Sequence, residues 1–228
     1  MIALILTRSP QSWPALVVGL ILLTYWVRVL QMVRRTKKNV GRAANFIPPE
    51  LLGRAIRLIW MPAVALWVLV PLFTAFAANL PAFLRPLPAV SGNAVLSWTA
   101  VAIAVAAFAA TSVCWRKMGT SWRMGIDPTE RTQLVFNGPY AYVRNPIYGL
   151  SSLLMLMTMV VVCSPLMWVV GVLHLLFLQW EVRREEKALV VLHGDAYADY
   201  YARVGRFFPK LFRSRATPSG TGRWMHGL

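Results

Sequence analysis

Uncharged apolar stretches alternate with basic segments along most of the chain. Leu58–Ala78 and Ala94–Trp115 contain no charged residue, and Trp13–Met32 contains one, Arg28. A further stretch, from Ile147 to Trp180, is uncharged throughout. Apolar stretches of about eighteen or more residues without charges are typical of transmembrane helices. The pattern therefore predicts a membrane protein with several spans rather than a soluble domain.

The last uncharged stretch is too long for one membrane span. Its 34 residues would form a helix of about 51 Å, whereas the hydrocarbon core of a bilayer is about 30 Å thick. Ser164-Pro165 lies near the middle, and such a pair breaks helices. We expect a tight hairpin of two short helices, 147–163 and 165–181. The predicted fold class is all-α, a polytopic bundle of five transmembrane helices.

Lys and Arg are distributed unevenly among the connecting segments. Seven lie in 33–57, five in 116–146 and nine after Trp180, but only one lies in 79–93. Because cytoplasmic segments carry an excess of Lys and Arg, we expect the two basic loops and the C-terminus inside and the 79–93 loop outside. This alternation requires five spans. The net charge of +16 also favours contact with the lipid bilayer; nucleic-acid binding is the rival interpretation, but no nucleic-acid motif appears.

The chain divides into three parts by composition. Residues 1–115 are expected to form a scaffold of three spans, and 116–210 contain most of the residues that could carry chemistry. After the last span we expect a cytoplasmic helix that breaks near Gly194, resumes through the following tyrosines and stops before Pro209. Residues 211–228 are rich in Ser, Gly and Thr and are expected to be a disordered tail.

Two polar clusters lie where the predicted hairpin meets the membrane surface. In "GPYAYVRNPIYGL" (138–150), a Gly-Pro turn is followed by Tyr140, Tyr142, Arg144, Asn145 and Tyr148. The second cluster, at the exit of the hairpin, comprises Glu181, Arg183, Arg184, Glu185 and Glu186. A helix down and a helix back return the chain to its starting side, so we expect the clusters to be neighbours. The alternatives are an interfacial aromatic belt and a solvated helix exit.

One ionisable residue, His174, lies inside the last predicted span. Ionisable residues within a membrane are commonly functional. His174, Glu181 and Glu185 are spaced by seven and four residues, so they share one helical face. The alternative is that His174 bonds a neighbouring helix. No Cys/His cluster has the spacing of a metal site, and we expect no metal.

The motifs "GPYAYVRNPIY" and "RREEKALVVLHGDAYADYYARVGRFFP" are separated by the short hairpin of spans. In this order they resemble the isoprenylcysteine carboxyl methyltransferase family, over residues 112–210. The related phospholipid methyltransferases share the cofactor-binding half. The resemblance implies S-adenosylmethionine as cofactor, taken up from the cytoplasmic side, and a substrate that enters from the lipid.

By the same resemblance, the cofactor lies between the loop entering the fourth span and the exit of the fifth. The residues implied in binding it are Thr132, Gln133, Leu134, Val135, Tyr140, Asn145, Pro146, Ile147, Tyr148, Glu185 and Glu186. A carboxylate can hold the ammonium or hydroxyl groups of this cofactor through charge-assisted bonds. The candidate catalytic residues are Arg144, which would anchor the loop or an acidic substrate, and Glu181 or His174 as a general base.

Two positions depart from the family's pattern. Asn145 stands where the family often has His, and Glu181 stands where the carboxyl methyltransferases place an Arg near the substrate carboxylate. The methyl acceptor therefore stays open among carboxylates, thiols and amines on a membrane-soluble or small apolar molecule. The function we expect is an integral membrane methyltransferase. A membrane sterol-type reductase and a non-enzymatic, lipid-binding scaffold are the alternatives.

Overall fold

The computed structural model describes residues 12–40, 50–123, 125 and 134–210. Within these residues the chain forms α-helices and short 3₁₀ turns but no β-strand, so the predicted all-α class is confirmed. The helices are α1 (Trp13–Val40), α2 (Leu51–Phe76), α3 (Pro88–Ser91), α4 (Ala94–Met118), α5 (Pro146–Val161), α6 (Pro165–His193) and α7 (Asp195–Arg203).

Four of these helices, α1, α2, α4 and α6, are long and apolar enough to cross a membrane. Helix α5 is also apolar, but its 16 residues extend over only about 24 Å. It is therefore shorter than a hydrocarbon core of about 30 Å and forms the short arm of the predicted hairpin. The chain is an integral membrane protein built as a polytopic helical bundle.

The hairpin turns at the predicted position. Helix α6 begins at Pro165, whose missing N–H is harmless in the first helical turn. Ser164 caps this helix, because its side-chain oxygen accepts a hydrogen bond from the backbone N–H of Met167 at 3.3 Å. The tight turn allows α5 and α6 to pack directly against each other.

Two helices continue past the apolar stretches that predicted them. Helix α2 begins at Leu51, ahead of the apolar run that starts at Leu58, and α6 continues to His193. Hydropathy marks only the part of a helix that lies in lipid, whereas backbone hydrogen bonding continues until the helix is terminated. As a result, Arg57 and Glu181 lie on facing helices rather than in loops.

Five helices form a closed ring in which α1 packs on α2, α2 on α6, α6 on α5, α5 on α4, and α4 on α1. Trp67, Leu154 and Met155 are fully buried inside this ring. Gly171 permits the close approach of α6 to α5, because a Cβ atom there would overlap Met159 Sδ. Small residues at such positions let membrane helices pack closely.

Two tryptophans of α2 donate hydrogen bonds across the bundle. Trp67 Nε1 donates to Thr158 Oγ1 of α5 at 3.1 Å, and Trp60 Nε1 donates to His174 Nδ1 of α6 at 3.2 Å. The two tryptophans lie seven residues apart and so share one face of α2. Interhelical hydrogen bonds in membranes contribute about 0.6 kcal/mol each on average. Together they fix α2 against both arms of the hairpin.

The predicted break after the last span is confirmed at Gly194. This residue has φ 57° and ψ −134°, a backbone conformation that favours glycine. Helix α7 follows and ends at Arg203, before Pro209. The predicted tail 211–228 lies outside the described residues, and the division of the chain into domains stays a prediction.

Candidate active site

The loop that precedes α5 is bent into a compact turn. Gly138 has φ 63°, and Gly138–Ala141 form a 3₁₀ turn. Helix α5 then begins at Pro146, with Asn145 as its N-cap residue. The Asn145 side chain makes no capping bond to the helix. Instead, its Nδ2 donates to Glu186 Oε1 at 2.7 Å.

Glu186 is the centre of the polar cluster under this loop. It is fully buried. Besides the bond from Asn145, Oε1 accepts from Arg144 Nε at 3.0 Å, while Oε2 accepts from Arg206 Nε at 2.9 Å and Nη2 at 2.6 Å. A buried carboxylate is tolerated only when it is paired and hydrogen-bonded, and two guanidinium groups meet that need here. The cluster joins the loop, α6 and the segment after α7.

Backbone bonds also attach the segment after α7 to the loop. Val143 and Gly205 form a parallel β-bridge. The N–H of Arg144 donates to the Gly205 carbonyl at 2.8 Å, and the N–H of Asn145 donates to the Arg206 carbonyl at 3.0 Å. These bonds set the loop's position relative to the C-terminal segment.

The side chain of Arg144 is engaged by the protein itself. Besides its bond to Glu186, its Nη1 donates to the carbonyl of Tyr201 at 2.7 Å and to the carbonyl of Val204. Its guanidinium carbon lies 3.9 Å from the centroid of the Tyr201 ring. Of the two roles predicted for Arg144, these contacts correspond to anchoring the loop.

A tyrosine of α7 reinforces the same attachment. The Tyr200 hydroxyl donates to the backbone carbonyl of Tyr140 at 2.6 Å. Burial raises the pKa of Tyr200 to about 12, so the hydroxyl keeps its proton at neutral pH and the bond persists. The tyrosine-rich part of the C-terminal motif therefore supports the loop.

A cavity of about 110 Å³ lies beside this cluster, between the middle of α1 and α6, the C-terminal end of α4 and the N-terminal parts of α2 and α5. Its wall is rich in aromatic side chains, those of Tyr25, Trp26, Trp60, Trp115, Trp122, Tyr140, Tyr148 and Phe177. Apolar walls with a few convergent polar groups are typical of sites that bind small organic molecules.

Glu185 lies at the wall of this cavity. The Tyr148 hydroxyl donates to Glu185 Oε2 at 2.7 Å, and both residues line the cavity. Glu185 is half-buried, in contrast to the fully buried Glu186. The hairpin therefore brings the two polar clusters together, which confirms the predicted contact between them.

Two neutral polar groups of the cavity wall have no hydrogen-bond partner among the described residues. They are the indole N–H of Trp26 and the hydroxyl of Tyr140. Burial raises the pKa of Tyr140 far above its usual value, so its hydroxyl remains a donor. Buried polar groups without partners are costly, and these two favour a polar ligand or water in the cavity.

An ion pair that the sequence did not predict also lies in the wall. Arg57 Nη2 of α2 is 3.5 Å from Glu181 Oε1, and Arg184 Nη1 is 3.6 Å from Glu181 Oε2. Arg57 and Glu181 are only 6% and 2% exposed. The Arg57 guanidinium carbon lies 5.3 Å from the Trp60 ring centroid. In the sequence, Arg57 is visible only as a basic residue that borders the apolar stretch starting at Leu58. Nothing in the sequence predicts that α2 packs against α6.

His174 is buried and bonded to neighbouring helices. Its Nδ1 accepts from Trp60, and its Nε2 lies 3.4 Å from Ser151 Oγ. Since Nδ1 is an acceptor, we infer that Nε2 carries the proton. The described lining of the cavity does not include His174. Its contacts correspond to the packing alternative stated for this residue, and its catalytic role stays a prediction.

Only some of the other residues implied in cofactor binding line the cavity. Pro146 and Ile147 line the cavity together with Tyr140, Asn145 and Tyr148. Leu134 and Val135 are half-buried, and the described lining does not include them. Thr132 and Gln133 lie outside the described residues. Cofactor binding by this set stays a prediction.

The fold and the cavity define a polytopic helical membrane protein with an aromatic-lined polar site. The sequence profile of the isoprenylcysteine carboxyl methyltransferase (ICMT) family matches residues 100–191, from α4 to the end of α6. The match agrees with the resemblance in the motifs and supports, in general terms, methyltransferase activity in a membrane. No individual curated protein matches the chain.

Proposed function

We propose that this protein transfers a methyl group from S-adenosylmethionine to a lipophilic or small apolar acceptor at the membrane surface. The observation that carries the proposal is the 2.7 Å bond between the Tyr148 hydroxyl and Glu185 in the cavity wall. It joins the loop motif to the carboxylates of α6 at a single site. These are the two segments that carry the resemblance to the methyltransferases.

The chemistry of the cavity suits this cofactor. An adenine ring stacks on aromatic side chains, and a sulfonium or ammonium group is attracted to a carboxylate and to tryptophan faces. Glu185 offers the carboxylate, and the unpaired donors of Trp26 and Tyr140 could meet polar atoms of the ligand. The N–H groups of Ile147 and Tyr148, in the first turn of α5, suit the carboxylate of the cofactor. When bound, the cofactor supplies an electrophilic methyl group.

The cluster around Glu186 would act by positioning the loop. Both carboxylate oxygens of Glu186 already accept bonds from protein side chains. We therefore assign ligand binding to Glu185 and a positioning role to Glu186 and Arg144. In this assignment the loop is held in place before any ligand arrives, which lowers the ordering cost of binding.

The Arg57–Glu181 pair is the part of the wall best suited to act on the acceptor. Methyl transfer requires an aligned nucleophile and exclusion of water. Glu181 would accept the proton of a thiol or an amine, whereas Arg57 would hold an anionic acceptor. A carboxylate or thiolate needs no base. The aromatic walls would exclude water and favour an apolar acceptor body.

We also propose that the cavity opens toward the cytoplasm. The end of α1 on this side of the bundle carries four exposed basic residues, Arg34, Arg35, Lys37 and Lys38. Membrane proteins concentrate Lys and Arg in cytoplasmic segments. A water-soluble cofactor would then reach the site from the cytoplasm, and a membrane-soluble acceptor from the lipid.

Calorimetric titration of the detergent-purified protein with S-adenosylmethionine tests the proposal. Glu185→Gln keeps the shape of the side chain but removes its charge. Losing one charge-assisted bond costs about 1.5–3 kcal/mol, so the affinity should fall about ten- to a hundredfold. Asp199→Asn makes the same change of charge on an exposed position of α7 and should leave the affinity unchanged.

The competing functions give different results in the same experiment. Saturable binding of NADPH instead of S-adenosylmethionine would favour a reductase, and binding of neither would favour a scaffold. Equal losses in the Glu185→Gln and Asp199→Asn proteins would contradict the assignment of Glu185. Incubation of lipid extracts with isotopically methyl-labelled cofactor, followed by mass spectrometry, would identify the acceptor.

A further inference from the structure

A second groove lies between α1 and α4 and shares the side chains of Trp115 and Trp122 with the wall of the candidate active site. Its volume is about 310 Å³. Its polar lining comprises Arg28, Gln31, Arg35 and Thr36 of α1 with Ser112 and Arg116 of α4. The described lining contains no acidic side chain. Three arginines therefore converge on a groove without a carboxylate to balance them.

The spacing of these residues explains why they converge. On α1, Gln31 and Arg35 follow Arg28 by three and seven residues, and on α4, Arg116 follows Ser112 by four. Residues with these spacings lie on one face of a helix. Helices α1 and α4 pack on each other, so the two polar faces border the same groove.

These arginines differ from those of the candidate active site in their partners. Arg144 and Arg206 are hydrogen-bonded to Glu186. Within the described residues, Arg28, Arg35 and Arg116 make no hydrogen bond or ion pair. Like charges in one groove repel one another unless an anion lies between them. An anionic ligand would supply the negative charge that balances these three arginines.

We propose that this groove binds the phosphate headgroup of an anionic phospholipid. The planar guanidinium group matches phosphate oxygens through paired hydrogen bonds. The side chains of Gln31, Thr36 and Ser112 can bond the remaining headgroup oxygens. Basic clusters at the end of a membrane span are the usual sites for such headgroups.

Two features favour a lipid over free phosphate. The groove lies where the apolar span of α1 gives way to its basic end, which is the level of lipid headgroups. Exposed Val27 and Val113 precede Gln31 and Arg116 by four and three residues, so apolar surface continues from the groove along both helices. That surface suits the acyl chains of a lipid. The site does not depend on the proposed methyl transfer.

The test is thermal unfolding of the full-length protein in a zwitterionic detergent. The protein is titrated with phosphatidylglycerol, with phosphatidylcholine and with inorganic phosphate. We expect a saturable rise in Tm with phosphatidylglycerol alone. A groove variant, R28Q/R35Q/R116Q, should lose at least about tenfold in apparent affinity.

The control variant R34Q/K37Q/K38Q removes the same charge from exposed positions of α1 that do not line the groove. It should keep the affinity of the wild type. Equal losses in both variants would mean unspecific attraction and would overturn the proposal. An equal response to phosphatidylcholine or to inorganic phosphate would overturn the anionic-lipid assignment. If the triple groove variant does not fold, the single variant Arg116→Gln should still bind phosphatidylglycerol more weakly. An unchanged affinity of this single variant would overturn the proposal.

Discussion

Replacing Glu186 with Gln should loosen the site without removing any group from the cavity wall. Glu186 is fully buried and holds two guanidinium groups, those of Arg144 and Arg206. Gln has the same shape, but its amide has no negative charge, and its N–H groups would face the N–H groups of a guanidinium. Breaking a buried ion pair leaves uncompensated charge and costs about 3–5 kcal/mol. We therefore expect the free energy of unfolding to fall by about this amount.

The measurement is unfolding in mixed micelles by titration with SDS, followed by tryptophan fluorescence. The exposed pair of Arg184 and Glu50, at 3.0 Å, gives a matched control, because the Glu50 side chain is 46% exposed. Glu50→Gln also takes a carboxylate from an arginine, but exposed pairs contribute only about 0–1 kcal/mol. If Glu186→Gln is as stable as Glu50→Gln, the positioning role of Glu186 is refuted.

A double-mutant cycle separates the pair from the rest of the cluster. Arg206→Gln alone should also destabilise the protein, because it leaves Glu186 with fewer donors. The double variant Glu186→Gln/Arg206→Gln should cost less than the sum of the two single changes, since residues in one network are coupled. Strict additivity would show that the two side chains act independently.

Three further results are expected. In an Asp199→Cys variant, the introduced cysteine should react with a membrane-impermeant maleimide only from the cytoplasmic side; labelling from outside would reverse the proposed orientation. Gly205→Ala should release the segment after α7 from the loop, because a Cβ atom would overlap the carbonyl oxygen of Phe208; unchanged resistance to limited proteolysis would contradict this. Arg57→Gln should lower kcat/KM more for acidic than for amine acceptors, and Glu181→Gln the reverse; equal losses for both acceptors would exclude the pair from acceptor recognition.

The order of the helices and the turns between them were largely predictable, because each feature has a local cause. The absence of charge indicates the spans, Ser164-Pro165 indicates the hairpin turn, and Gly194 indicates the break before α7. The helix ends were less predictable. Leu51 starts α2 well outside the apolar stretch, since a helix that leaves lipid can continue in water without any change in hydropathy.

The candidate site was predictable only as far as the hairpin could bring its parts together. Connecting two spans by a tight turn places their far ends side by side, whatever the side chains, so the contact of Tyr148 with Glu185 follows from topology. The neighbour of α6 on its other face does not follow from topology. For this reason Arg57, 124 residues from Glu181 in the sequence, was found only in the structure.

The neighbouring residues Glu185 and Glu186 show why composition could not assign roles within the cluster. Both are glutamates at the same depth of one helix, and the resemblance to the methyltransferases implied both in cofactor binding. Consecutive helical residues point about 100° apart. Glu185 consequently lies at the aromatic cavity beside Tyr148, while Glu186 is directed under the loop toward Arg144 and Arg206. Only the surrounding helices decide which carboxylate is left to receive a ligand, and here they leave Glu185.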